Sequence, residues 1–564
     1  MKKKIVALLL SCLLVLSGIP AALALESPEE QGPEMVSYDG ARSMATGDLS
    51  LTKEVNPKGP VISSIADYYK AANSSRLRSA SSALPAKVDN SQSRFFPEIG
   101  DQGRLGSCAS WAQTYYQFTY TMNKALNRPS TPENCFSPKW TYNLVNGGTD
   151  TGSSCESKYV GLYNQGAATM SQVPYDTDYL SWSPENEIWS GTSDYRLKDY
   201  QYLSVGLEHD DTPITNPRDE DLGIIKTALS NGEVLTFSTY MYGWMYSKIS
   251  RRTEVPENAD YAGENIAIGL SSMDGGHRMT IVGYNDDLWV DINGDNIVQE
   301  QEKGAFKVAN SWGDSYMMND GFIWVSYDAL NRVSAILEPG TSNRIDCPIF
   351  SLIARIDVEP YDSDSGIVLR YTLNSNNRGT TRVNITAEKD GTLYSALVTP
   401  YKEVHSFFDN YSYDGTTDEN DGFMCCDLDR VVENLDSENF RDYNWTVTFT
   451  DNETDASVFT VKEATIVDNN TGKTYTSGES TPFALNGAKK TLSFYQSDRK
   501  AAVVYYRGFL NPYICYKTGD GQWTQQPGVP MERSDEMEGY THKYAIELSS
   551  DTETAAVCFT DGKG

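Results

Sequence analysis

Apolar and polar positions repeat with different periods along the chain. "SCASWAQTYYQFTYTMNKAL" places Cys108, Trp111, Ala112, Tyr115, Phe118 and Met122 at helical spacing, with Ser107 positioned to cap the first turn. Further helices are predicted over "SPKWTYNLVN" and "DEDLGIIKTALSNG", and strands over "EVLTFSTY", "HRMTIVGYND", "GAFKVANSW" and "GFIWVSY". Helices first and strands later predict an α+β unit with two lobes. Beyond about residue 346 the period becomes two. "GIVLRYTLNS", "TRVNITAEKD", "TLYSALVTPY" and "NWTVTFTD" alternate between Asn, Gly, Asp and Ser turns, the pattern of an antiparallel β-sandwich. After the polar stretch "DNNTGKTYTSGES", a second all-β unit begins near Thr491. The expected organisation is a leader at 1–24, a pro-segment or spacer at 25–83 with one short helix, and an α+β domain at 84–345. A β-sandwich at 346–468, a linker at 469–490 and a second β-sandwich at 491–564 complete it.

The leader "MKKKIVALLLSCLLVLSGIPAALA" has three lysines, an apolar run and a small-x-small site at Ala22-Leu23-Ala24, the features of a secretory signal too short for a stable span. No later stretch is long and apolar enough to cross a bilayer, so a secreted, extracellular protein is expected. A formal net charge of −30 argues against nucleic-acid or anionic-membrane binding, which needs basic patches. Only four histidines are present, so few residues qualify as a catalytic base. Of nine cysteines, Cys12 leaves with the leader; Cys135 and Cys155 flank a loop-rich segment and are the expected disulfide. None of the cysteine spacings matches a zinc site.

Three stretches carry chemistry together. Cys108 sits at a helix start, where the peptide dipoles favour a thiolate. His277 heads an apolar strand after two glycines that admit a close approach to the ring. Asn310, in "VANSWGD", offers a side-chain oxygen to hold the imidazole tautomer, and the nearby Trp312 shields that bond from water. Gln102, six residues before the thiol, is placed to donate to an oxyanion together with the Cys108 backbone N–H.

Through "DQGRLGSCASWA", "GGHRMTIVGYND" and "FKVANSWGDSYMMNDGFIWVSY", with "LPAKVDNS" as the start of the mature domain, the chain resembles the papain-like cysteine peptidases over about residues 84 to 335. The resemblance implies a two-lobed fold with the thiol and the histidine facing each other across a cleft. It makes Cys108 the nucleophile, His277 the base and later the acid, Asn310 the orienting residue and Gln102 an oxyanion donor. The substrate would be a protein or peptide, and catalysis would need no cofactor. Leu105 and Ala109 stand where the family often carries Cys and Trp, and Gly276 where many relatives carry a larger residue. The pro-segment lacks a clear version of the family's long inhibitory helix. The alternative reading is a non-catalytic carbohydrate-binding adhesin that uses this domain as a scaffold.

Two further expectations concern ligands. In "DINGDNIVQEQE", Asp291, Asn293, Asp295 and Glu302 fall at positions 1, 3, 5 and 12 of an EF-hand-type loop, with the Ile297 carbonyl at position 7, so a structural calcium ion is expected. The segment from about 348 to 465 resembles the lectin-like β-sandwiches that follow bacterial papain-like peptidases. The last unit resembles small starch-binding β-sandwich modules, which implies an α-glucan partner stacked on Tyr506, Tyr513 and Trp523.

Overall fold

A computed structural model describes residues 44–51, 61–71, 83–203, 219–314, 318–330, 333–337, 344–346, 349–360, 366–400, 410–495, 500–519, 521–548 and 554–563. The expected leader lies outside the described residues.

The helical run that begins at Cys108 is an α-turn over Cys108–Ser110, a π-helix over Trp111–Phe118 and an α-helix over Thr119–Ala125. It is buried on every side from Cys108 to Tyr120, so its polar residues need internal partners. Gln113 donates to the Cys155 carbonyl at 3.0 Å, and Gln117 donates to the carbonyls of Val234 and Ala354 at 3.1 and 2.9 Å. Two capped helices surround it. Ser137 caps Pro138–Val145 with proline in the first turn, and Ser154 caps Cys155–Asn164.

The second lobe is built on a ten-stranded sheet. The strand Gly276–Trp289 pairs with Leu235–Tyr240 on one side and Lys303–Ala309 on the other, and Lys303–Ala309 pairs in turn with Phe322–Ser326. His277 stands opposite Thr239, and Thr280 opposite Ala309, which brings the start of the His277 strand and the end of the Asn310 strand to one edge.

The boundaries differ from the expected ones in three places. Ser351–Pro360 lies between Tyr195–Leu203 and Leu235–Tyr240 in the first sheet, although the next unit was expected to begin at 346; Leu352, Ala354 and Ile356 are buried in one core and Ile353 in another on the opposite face. The expected linker at 469–490 holds the strands Lys473–Thr476 and Phe483–Leu485, both paired with Phe459–Asp468. Its Asn-Gly chemistry makes a hairpin turn rather than a tether. Lys489–Tyr495 pairs with Asn444–Asp451, so Thr491 belongs to the middle unit.

That middle unit has a five-stranded and a four-stranded antiparallel sheet, whose buried residues share one core with the helical lobe, from Leu369, Ile385 and Trp445 through to Trp140, Trp182 and Trp189. Arg196 pairs with Asp427 at 3.3 Å across this junction, both side chains 2% exposed. The last unit has two three-stranded sheets around Ile514, Met531 and Ile546.

Parts of the expected polar spacer are packed on the first unit. Val61–Ile62 pairs in parallel with Tyr202 and Leu203, and the helix Ile65–Ala71 buries Tyr68, whose hydroxyl donates to Glu233 at 3.0 Å. Among the described residues no helix is long and apolar enough to cross a membrane.

Candidate active site

Cys108 is fully buried, and the backbone N–H groups of Arg278, from the histidine strand, and Gly47, from the N-terminal segment, face its thiol. His277 is also fully buried; its Nε2 lies 2.8 Å from Asn310 Oδ1, and its ring packs 4.6 Å from Trp312, centroid to centroid. The asparagine oxygen also accepts the Ser311 backbone N–H at 2.8 Å, so it acts as an acceptor and fixes Nε2 as the protonated nitrogen of the neutral ring. Nδ1 is then a lone-pair acceptor, and it is buried without a hydrogen-bond partner. The strand start and the following strand end thus bring together His277, Asn310 and Trp312, and the helix start brings Cys108 to the backbone N–H of the residue after the histidine.

Gln102 is buried beside them. Its Oε1 accepts from Ser311 Oγ at 2.5 Å, and its Nε2 donates to the carbonyls of Leu105 at 2.9 Å and Ala45 at 3.1 Å. Ala45 belongs to the segment Met44–Leu51, which runs between Gly276 and Ser153 beside these residues. Its carbonyl also accepts from Trp312 Nε1 at 3.0 Å. The backbone N–H groups of Gly47 and Asp48 donate to the Gly276 carbonyl at 3.0 and 2.9 Å, the Ser153 N–H donates to the Gly47 carbonyl at 2.9 Å, and Asp48 and Ser153 form a parallel bridge.

Glycines make that approach feasible. A Cβ on Gly276 would stand 2.2 Å from the Asp48 carbonyl oxygen, and one on Gly152 would stand 2.2 Å from that of Gly47. A larger residue at either position would clash with the backbone of this segment where it now lies.

Burial, and then the Asp48 charge, push the Cys108 thiol up to about 12. Burial pushes His277 down to about 4, against the opposing bond to Asn310. Near neutral pH both groups are therefore uncharged while the segment is in place.

The sequence pattern did not point to Asp48, Arg278, Lys158 or the segment itself. The available signal was an arginine, in "GGHRM", within a run otherwise destined for a core.

The expected calcium residues do not gather into a ligand shell. Glu302 is fully buried, and its two oxygens accept from Trp289 Nε1 at 2.8 Å and from the Ile292 N–H at 2.9 Å. Asp291 accepts from the N–H groups of Gly294 and Asn296 at 2.8 and 3.0 Å. Asp295 accepts from the Ile297 N–H and from the side chains of Asn293 and Gln299. Among the described residues no three His, Cys, Asp or Glu groups are placed to hold a metal. Glu302, the expected position-12 ligand, is turned to Trp289 and Ile292.

Cys135 and Cys155 are free thiols, not the expected disulfide; the Cys155 sulfur lies 3.3 Å from the Tyr202 hydroxyl at a helix start. Cys515 and Cys558 instead stand opposite each other on paired strands. Of the three expected sugar-stacking rings, Tyr506 packs at 4.3 Å against Phe559 in the core of the last unit, Tyr513 is half-buried at a strand start, and Trp523 is 47% exposed.

No family model matches the chain, and no curated protein matches it by sequence. Among solved structures the chain is similar to xylellain, a cysteine protease from Xylella fastidiosa, at 16% identity over 56% of this chain and 96% of that one, with a TM-score of 0.35. A recombinant stem bromelain precursor matches at 16% identity over 57% and 80% of the two chains, with a TM-score of 0.35. A procathepsin B from Trypanosoma congolense matches at 14% over 58% and 90%, with a TM-score of 0.34. The structural neighbours are thus papain-like cysteine proteases over about half of the chain. At such scores the likeness carries no weight for the chemistry, which rests on the geometry above.

Proposed function

We propose that the chain is a secreted cysteine-type peptidase held latent by its own residues 44–51. The observation that carries this reading is the buried His277 ring, bonded through Nε2 to Asn310, covered by Trp312 and left with an unpartnered Nδ1, on the strand whose next backbone N–H faces the Cys108 thiol.

The chemistry follows from that arrangement. With the segment withdrawn, water reaches the thiol and the Asp48 charge leaves, and both changes lower the thiol pKa. The proton passes from Cys108 to His277 Nδ1, giving a thiolate and an imidazolium whose Nε2–H stays on Asn310. The thiolate adds to a peptide carbonyl. Gln102 Nε2, which holds the Ala45 carbonyl in the latent form, is free to donate to the resulting oxyanion. The imidazolium returns its proton to the leaving amine, and water, deprotonated by the same ring, hydrolyses the acyl-enzyme.

The test is peptide hydrolysis by the activated chain and by Cys108→Ala. Complete loss in the variant is expected; retained hydrolysis would falsify the assignment, and no hydrolysis by the unaltered activated chain would favour the scaffold reading. For the last unit, the carbohydrate reading rests on Trp523 and Tyr513, with Tyr506 assigned to the core. Retention of the full chain on insoluble starch, lost in Trp523→Ala, is expected; no retention of the unaltered chain ends it.

A further inference from the structure

Asp48 presents its carboxylate to a spot built for a negative charge. It is 1% exposed; Oδ2 accepts from Ser238 Oγ at 2.5 Å and lies 3.9 Å from Arg278 Nη1. Among the described residues it is the one carboxylate within ion-pair distance of that guanidinium. Arg278, 1% exposed, is fixed by donating to Ser238 Oγ at 2.7 Å and Thr236 Oγ1 at 2.8 Å. Lys158, fully buried on the helix Cys155–Asn164, donates to Ser153 Oγ and to the Ser154 carbonyl, and Asp48 attracts its charge too.

The cations and the hydroxyl belong to the body of the first unit, whereas the carboxylate belongs to the segment Met44–Leu51. Withdrawing the segment leaves the buried Arg278 guanidinium facing a vacated position, with the buried Lys158 on the neighbouring helix, an arrangement that is costly without an anion. In a chain of net charge −30 this convergence does not follow from composition. The position is also on the path of a peptide. Gly47 and Asp48 are held by the Ser153 N–H and the Gly276 carbonyl, and a substrate strand paired to those same backbone groups brings a side chain to the same place. We propose that Arg278, Lys158 and Ser238 form a subsite for an acidic side chain, so that the enzyme selects peptides carrying Asp or Glu at one fixed position near the cut. The segment is then a latency device matched to the enzyme's own preference.

This inference rests on the peptidase reading, and one experiment separates the two. The full chain carrying Asp48→Asn, which weakens the segment's hold, is treated with epoxysuccinyl peptides bearing Asp, Asn or Leu at successive positions beside the electrophile. Labelling of Cys108 is timed by mass spectrometry. At one position Asp should label at least about tenfold faster than its isostere Asn. Arg278→Gln should bring that ratio towards one. Lys158→Met should lower it as well, which covers the case in which the arginine variant does not fold. Equal labelling by Asp and Asn peptides at every position overturns the acidic subsite alone. Absence of Cys108 labelling by every probe overturns the thiol reading and this proposal with it.

Discussion

Asn310 holds His277 through a single oxygen that also takes the Ser311 N–H, so its loss removes the tautomer lock without opening the core. The bond gains strength when the ring becomes imidazolium, and a hydrogen bond to a charged group is worth about 1.5–3 kcal/mol. Asn310→Ala is therefore expected to lower kcat by about ten- to a hundredfold, with KM little changed, as steady-state kinetics on the activated chain will show. The latent pair also sets a pH dependence. His277 is depressed to about 4 in the folded chain by burial. Its contribution to stability is present above the unfolded value near 6.5 and is lost as pH falls through about 4. Cys108 is raised to about 12, so its contribution is present below the unfolded value and is lost as pH rises towards 12. The thermal midpoint of the latent chain should fall between about pH 6.5 and 4, by a margin that shrinks in His277→Gln. An acid limb of equal depth in the variant would contradict this. Cys558 is exposed and should react with iodoacetamide well before Cys108 in the latent form.

At the scale of elements, the loop Asp291–Glu302 gives a clean test of the calcium expectation. Its carboxylates are already engaged by Trp289, Ile292 and the loop's own N–H groups, and burial raises Glu302 to about 7. Excess EDTA should leave the thermal midpoint and Cys108 labelling unchanged; a fall in either would mean that the loop is organised by an ion. The same loop shows where sequence was informative and where it was not. Spacing identified the turn, because Gly294 and Asn296 take positive φ as such a loop needs, but it was silent on whether the acids face outward or bond inward. Strands such as Gly276–Trp289 and Lys303–Ala309 were legible from their apolar runs, and with them the approach of His277 to Asn310. The strand Ser351–Pro360 was not, since its two partners lie far away in sequence and an alternating run fits either sheet. The segment Met44–Leu51 was the least legible. "MATGDLSL" has no period, and its place depends on backbone bonds to Gly276 and Ser153 and on the buried charge of Arg278.

On the scale of the molecule, the first two units share one core and one buried ion pair, so they should unfold as a single body. Removing one member of such a pair leaves the other charge buried, which typically costs about 3–5 kcal/mol. Asp427→Ala, which leaves the buried Arg196 with only the more exposed carboxylates of Asp429 at 3.5 Å and Glu359 at 3.7 Å, should lower the joint transition in calorimetry while the transition of the last unit stays in place. Two separate transitions for the first and middle units, with the variant moving only the middle one, would contradict the shared core. The last unit has its own small core around Ile514, Met531 and Ile546, which is why its transition is expected to be separate.

The most direct measurement of the whole account is stoichiometric inactivation. The Asp48→Asn chain is titrated with an epoxysuccinyl thiol reagent, and peptide hydrolysis is followed alongside the mass of the cysteine-bearing peptides. The account predicts that activity falls in proportion to labelling of Cys108 and reaches zero when Cys108 is fully labelled, whatever the extent of labelling at the exposed Cys558. Activity that survives full labelling of Cys108, or that is lost through labelling at another cysteine, contradicts it.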